Sequence, residues 1–470
     1  MIQRIPVEKI SIVALVLLIT GAIDSIRNLP ATALFGSTLI FFFILSAIIF
    51  LIPVALVAAE LSSAWPEDEG GIYSWVRHAF GSGPAFFAIW LQWVNTVVWY
   101  PTIISFIAGT LAYLINPVLA TNKLYIISVI LIVFWSLTFI GIAGIRTSAN
   151  IAGICAFVGM IIPMAFIILL AIIWLIKGNP IAVDLSWHKL LPVWHDSQSW
   201  VSLTAIMTAF LGMELAAVHV KNIDNPQHNF PRAMMYSATL ILFTMILGSL
   251  AIAFVLPSAK ISLVDGVMQA FDNFFRAYHL RFLLPITAIL LLIGSVGGMI
   301  NWVISPAKGL MMAAEHGFLP HWMAYRNKHG VPSRILLLQA VLVTLFCSTF
   351  LLLPSINSIY WLFTDLSTEM YIVMYVFMFF AAIKQKEQFA HRPRVFQIPF
   401  GNIGYYGICV LGLVGCTITL IVGFIPPKEA VQLGDQHWFQ VIFSCGIILM
   451  LLPAVLIYWH KKRAMKRDYR

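Results

Sequence analysis

"LVLLITGAIDSIRNLPATALFG" runs from Leu15 to Gly36. Its flanks read as a plain apolar helix, yet Asp24, Arg27 and Asn28 fall between Gly21 and Pro30. An unbroken helix in lipid would strand those charges away from water. A helix interrupted at this point opens its backbone onto a polar cavity, where charge is tolerated. The stretch is therefore read as one membrane helix in two halves.

The surrounding chain supports that environment. Hydrophobic residues make up 61% of 470 positions and charged residues only 10%. Soluble domains carry about a quarter charged residues, so this is an integral membrane protein. Apolar runs able to cross ~30 Å of hydrocarbon as helices recur near 10–36, 37–62, 82–113, 123–143, 148–176, 197–220, 230–256, 281–310, 333–353, 355–383, 403–425 and 437–460. About twelve spans are expected. The runs are continuous rather than alternating, which excludes a membrane β-barrel. The first span is too long and polar for a signal peptide and is expected to be retained.

The formal net charge is +9. Of the 28 lysines and arginines, Lys123, Lys177, Lys189, Lys260, Arg276, Arg281 and Lys428 fall on one side, Arg27 lies inside the first span, and the rest fall on the side of the termini. That bias places both termini in the cytoplasm of a multi-pass protein. The positive charge, including the tail "KKRAMKRDYR" (Lys461 to Arg470), answers an anionic leaflet and not a nucleic acid. The five cysteines all fall inside expected spans with no C-x-x-C pair, so they read as small buried residues and not as disulfides or metal ligands.

Connections are short, giving one membrane domain over 1–470. The loop at 257–281 contains "SLVDGVMQAFDNFF", whose spacing suits a short amphipathic helix on the outer surface. The sixth span, "SLTAIMTAFLGMELAAVHV" (Ser202 to Val220), shares the first span's peculiarity, with Gly212 and Glu214 in mid-helix. Each opens a possible five-helix block, 10–176 and 197–383, and 403–460 adds two more helices. Matching interruptions in two halves point to the binding site of a secondary transporter.

Several motifs converge on one pattern. "GMELAAVHVKNIDNPQHNFPRAM" (Gly212 to Met234) resembles the sixth-helix signature of the amino acid–polyamine–organocation superfamily, a G-x-E in a broken helix followed by an N-P-x-x-x-x-P-x-A turn. "PEDEGGIYSWV" (Pro66 to Val76) resembles its acidic double-glycine loop, and "INWVISPAKG" (Ile300 to Gly309) its helix-eight ending. "IPVALVAAEL", the helix-six segment and "GVMQAF" are closest to the glutamate/γ-aminobutyrate antiporter family. The resemblance implies an all-α polytopic protein of leucine-transporter-like fold. It implies a five-plus-five inverted repeat with broken helices 1 and 6, two extra C-terminal helices, and alternating-access exchange of amino acids without a cofactor. One departure stands out. Ile23-Asp24-Ser25 occupies the place of the superfamily's G-x-G, whose bare amides suit a substrate carboxylate. Asp24 sets a negative charge beside that place and leaves the substrate open.

The candidate substrate-binding residues are Thr20, Gly21, Ile23, Asp24, Ser25 and Arg27 around the first break and Asn95 in span three. Thr208, Ala209, Phe210 and Gly212 in span six and Trp302 in span eight complete the set. Asp24 and Arg27 share a face if their turn is helical. Either Arg27 holds a substrate carboxylate while Asp24 takes an ammonium group or a proton, or the two form a structural ion pair. The first reading is favoured, because intramembrane charges default to function. Trp302, on the family motif, can close over a ligand and meet an ammonium group by cation–π attraction. Gln92, Trp99 and Asn301 add amide handles and aromatic wall.

Three acids are candidates for proton coupling. Glu214 sits beside freed backbone N–H groups, where bracing the unwound segment is favoured over direct coupling. Asp365 and Glu369 lie one turn apart in "YWLFTDLSTEMYIVMY", with Asp365 about 15 Å into span ten. Two carboxylates on one face in low dielectric do not both ionise comfortably, so the pair reads equally as a proton carrier or as hydrogen-bonded structure. The histidines lie mainly in loops without metal spacing; His219 and His228 flank span six. Gly297-Gly298 signals close packing, and no phosphate-binding loop supports an ATP-driven pump.

The expectation is an inner-membrane amino-acid antiporter, monomeric or homodimeric, that takes glutamate/γ-aminobutyrate-like or related amino acids. It has no nucleic-acid partner, metal or cofactor. Helices one, two, six and seven rock against the rest. The alternatives are a proton-coupled symporter for neutral or cationic amino acids and, from a different class, a channel or transport-dead receptor. An enzyme is disfavoured for want of a nucleophile–base or metal constellation.

Overall fold

The computed structural model describes residues 11–65, 71–144, 149–193, 197–214, 223, 225–297, 299–352, 355–394, 396–428 and 436–468. Among them no strand occurs. Eleven helices are long and apolar enough to cross a membrane. They are α1 (Ile12–Ala33), α2 (Gly36–Ala64), α3 (Ser82–Ile115), α4 (Lys123–Ile142), α5 (Gly153–Ile176), α7 (His228–Val255), α8 (Arg281–Glu315), α9 (Ser333–Leu351), α10 (Ile356–Gln388), α11 (Gly401–Val422) and α12 (Phe439–Arg463). Between α5 and α7 stands α6 (Ser197–Ala209), too short to cross alone. The expected span 197–220 is thus a half-helix that stops at residue 209; 215–222, including His219, lie outside the described residues, as do 66–70 and Gly298.

Local chemistry fixes the helix starts. Ser11 accepts from the Ala14 N–H, Asn122 from Tyr125 and Ser355 from Ser358, capping α1, α4 and α10. Helix α1 stops at Ile23, because Asp24 and Ser25 are extended. It resumes as a 3-10 turn over Ile26–Asn28 and a helix over Leu29–Ala33, with Pro30 in the first turn, where its missing N–H costs nothing. Helix α2 holds a π turn at Ala47–Leu51, just before Pro53.

The most enclosed helices are α10 (72% buried over its apolar window), α3 (67%) and α2 (61%), whereas α12 is 17% buried. The bundle is therefore built round α3 and α10. Its outside is apolar, with Ile132, Phe139, Phe243 and Leu449 exposed, as a lipid-facing surface requires. The expected loop helix is present at Gly266–Ala277. Its apolar face is buried, Phe271 and Phe275 pack on Phe166 of α5, and Gly266 lies against Pro30 over the outer half of α1.

Two close contacts complete the frame. Helices α5 and α8 touch backbone to backbone: a Cβ on Gly159 would lie 2.2 Å from the Gly294 nitrogen. On the side of the chain termini, Glu60 of α2 is 1% exposed and accepts from Lys386 Nζ (2.8 Å), Arg394 Nη1 (3.0 Å) and the Ile398 N–H (2.8 Å). Beside it, Arg392 lies over the Trp65 ring, which stacks on His78. Of the five cysteines, Cys347, Cys409 and Cys416 are buried, Cys155 is half-buried and Cys445 is exposed.

Candidate functional site

The two helix breaks face each other across one cavity of about 1010 Å³, counting its open mouth. From the α1 break come Gly21, Ile23, Ser25, Ile26, Arg27 and Asn28, and from the α6 break Thr208, Leu211 and Gly212. Gly212 has φ +101°, a conformation open to glycine and strained for other residues, and this lets α6 turn away. The wall is completed by Asn95, Thr96 and Trp99 of α3, Met160 of α5, Ser295 and Trp302 of α8, and Ser367 and Tyr371 of α10.

Eight of the twelve expected binding residues therefore meet here: Gly21, Ile23, Ser25, Arg27, Asn95, Thr208, Gly212 and Trp302. Four do not. Thr20 is buried outside the cavity lining, and Ala209 is buried in the core. Phe210 packs edge-on against Phe43 of α2, because the chain has already left the helix at that residue. Asp24 is also turned away. Its Oδ2 accepts from Thr244 Oγ1 of α7 at 2.7 Å, and Oδ1 is buried without a partner. The shared face expected for Asp24 and Arg27 assumed a helical turn. The extended backbone at 24–25 swings the carboxylate to α7 instead, and among the described residues no ion pair joins the two.

Arg27 is 8% exposed. Its guanidinium lies 4.1 Å over the Trp99 ring, which in turn packs on Trp302 at 5.6 Å. Nε and Nη1 have no hydrogen-bond acceptor and no carboxylate is in reach among the described residues, so a lone cation faces the cavity. Asn95 is engaged: its Nδ2 donates to the Ser367 carbonyl (2.6 Å) and Oγ (2.8 Å), joining α3 to α10. The hydroxyls of Thr208 and Thr368 meet, joining α6 to α10.

Glu214 closes the far end of the α6 break. Tyr371 donates to its Oε1 at 2.7 Å and Tyr375 to its Oε2, while Tyr375 also accepts from the Gly212 N–H at 3.0 Å. Gly212 and Glu214 are thus both tied to α10. Gln92 reaches the Tyr371 hydroxyl, and the side chain of Asn301 lies outside the described ones. Asp365 and Glu369 lie on the opposite side of α10 from the cavity, about 160° round the helix from Ser367 and Tyr371. The cavity face of α10, with Ser367, Thr368, Tyr371 and Tyr375, was missed in the sequence. Its signal was there: these polar residues recur at helical spacing, two between the acids and two beyond them.

The family model for amino acid permeases matches residues 10–452. An uncharacterized transporter of Legionella pneumophila is 41% identical over 96% of this chain and 96% of its own length. The glutamate/gamma-aminobutyrate antiporter of Lactococcus lactis subsp. lactis is 29% identical, covering 97% of this chain and 92% of its own. A probable agmatine/putrescine antiporter of the same organism is 23% identical over 97% and 95%.

Proposed function

We propose that this chain, which belongs to the amino acid permease family, exchanges acidic or γ-aminobutyrate-like amino acids across a bacterial inner membrane by alternating access. The observation that carries the reading is Arg27, a buried guanidinium on the cavity wall with no carboxylate in reach among the described residues. An unpaired cation in low dielectric is costly, and a substrate carboxylate relieves it. Because Asp24 faces α7, it does not take up that charge. A dicationic substrate such as putrescine would meet repulsion, so the likeness to the glutamate/gamma-aminobutyrate antiporter is the closer guide.

The N–H groups that restart α1 at Ser25 to Arg27 offer a second anion-binding element. Trp99 and Trp302 supply the wall for the carbon chain. The helix order supports two five-helix blocks, 10–176 and 197–383, followed by 403–460, with α1, α2, α6 and α7 as the moving group. The lysine and arginine bias supports cytoplasmic termini.

Counterflow in proteoliposomes tests this. Vesicles preloaded with glutamate should take up labelled glutamate or γ-aminobutyrate far faster than empty vesicles. Equal uptake into both, with no ion gradient, would refute exchange. Uptake into empty vesicles that requires an imposed proton gradient would favour the second reading, a proton-coupled symporter, for which the buried carboxyl pair on α10 speaks.

A further inference from the structure

Helix α10 carries two polar faces. One holds Ser367, Thr368, Tyr371 and Tyr375 against the cavity and the broken α6. The other holds Asp365 and Glu369, one turn apart, and neither lines the cavity. Asp365 and Glu369 are each 1% exposed and Trp361 is fully buried. Asp365 Oδ1, Glu369 Oε1 and Trp361 Nε1 are all sealed from solvent without a hydrogen-bond partner. Side chains on a helix lean toward its N-terminus, so Glu369 leans over Asp365 and Asp365 over Trp361.

The neighbouring helices make room for this row and, among the described residues, offer it no counter-charge. Gly423, at the end of α11, lies directly against Glu369: a Cβ there would come within 1.9 Å of Oε1. Gly446 of α12 packs on Leu366 between the acids. The ring of Trp361 meets Phe35, where α1 passes to α2. Along the parts of α11 and α12 that carry Gly423 and Gly446, the titratable side chains are Cys416, which is buried, and Cys445, which is exposed. From α3 and α6 no charged residue is described at this level, and Glu60 of α2 is engaged at the far end with Lys386 and Arg394.

We infer that Asp365 and Glu369 form a proton-binding site separate from the substrate cavity and walled by α11 and α12. Two buried carboxylates without a cation repel each other, and one shared proton removes that repulsion. The proton enters as H⁺ from water, adds to a carboxylate oxygen, and leaves by the same O–H bond. The site reaches the substrate through α10 itself: a change in repulsion against α11 shifts the helix that holds Thr208, Gly212 and Glu214 on its other face. This gives the two helices beyond the ten-helix core a part in transport.

Infrared spectroscopy of the purified full-length protein reads the site without any transport assay. The carbonyl-stretch band of a protonated carboxyl should titrate with pH, shift on deuterium exchange, and shrink in Asp365→Asn/Glu369→Gln. If the double variant does not reach monodisperse yield, Glu369→Asp should keep the band and Asp365→Asn alone should weaken it. In proteoliposomes, exchange by the wild type should change about tenfold between about pH 5 and pH 8, the range that buried carboxyls reach, and by under about twofold in the double variant. An unchanged band in the double variant, or a pH profile identical to wild type with substrate selectivity intact, would overturn the site. Loss of exchange in the wild type itself would count against the proposed function and leave the infrared result to decide this one.

Discussion

Asp24 and Arg27 stand three residues apart yet serve different helices: the carboxylate binds Thr244 of α7 and the guanidinium rests on Trp99 of α3. Their substitutions should therefore act independently. Arg27→Gln should weaken binding of acidic substrates by about 1.5–3 kcal/mol, the worth of a charge-assisted hydrogen bond. Asp24→Asn should leave affinity near wild type and cost little stability, since an amide oxygen there still accepts from Thr244. A double-mutant cycle on both quantities should show a coupling below about 0.5 kcal/mol. A large rescue in the double variant would mean the two are an ion pair after all.

Tyr375 ties both sides of the α6 break, accepting from Gly212 and donating to Glu214, whereas Tyr371 makes only the second kind of contact with it. Tyr375→Phe should cost about 2–4 kcal/mol, since it leaves two buried polar groups unsatisfied, and Tyr371→Phe about half of that. Thermal unfolding in detergent gives the order, and an inverted order would contradict this bracing scheme.

Gly212 should resist even alanine. Its φ of +101° is strained for any residue with a Cβ, at a cost of about 1–3 kcal/mol, and relaxing it would re-form helix across the break. Gly212→Ala should fold with reduced exchange. Full exchange activity would show that the break is not needed for transport.

On the side of the termini, Glu60→Ala would leave Lys386, Arg394 and the Ile398 N–H facing a buried void. A loss of about 3–5 kcal/mol is expected, as for other broken buried ion pairs. Lys386→Ala should cost less, because Arg394 still pairs with the carboxylate. Limited proteolysis of the 389–400 connection should expose the difference.

Outside the membrane, Asp265 begins the loop helix over α1. Burial raises its carboxyl above the ordinary aspartate value, against opposing hydrogen bonds from Ser262 and Tyr113. A raised folded-state value means that the charged form destabilises the loop. The penalty is present above that value and is relieved as pH falls toward the unfolded value. Asp265→Asn should therefore raise Tm at neutral pH, with the gain shrinking on acidification. A gain that grows at low pH would reverse the sign.

Much of this was readable in the chain. Gly21, Asp24 and Pro30 marked the α1 break, Gly212 and Glu214 the α6 break, and Arg27 and Trp302 the wall. Two of the four misplacements share a cause. Helical periodicity assigns faces only where the backbone is helical, so it misplaced Asp24 in an extended step and Phe210 in a turn. For α10 the period was right, but which of its two polar faces meets the cavity depends on α6 and α11, and no local pattern encodes that.

The meeting of Gly159 and Gly294 has a kinetic consequence. Where two helices interlock through side chains, sliding one past the other requires each rotamer to be lifted from its notch. Here bare backbone rests on bare backbone, so the junction behaves as a smooth bearing beside Met160 and Ser295 on the cavity wall. Movement there lifts no side chain of these two residues out of a notch. Alanine at either position would put a tooth in the bearing, and the turnover rate would then fall more steeply on cooling than it does in the native protein.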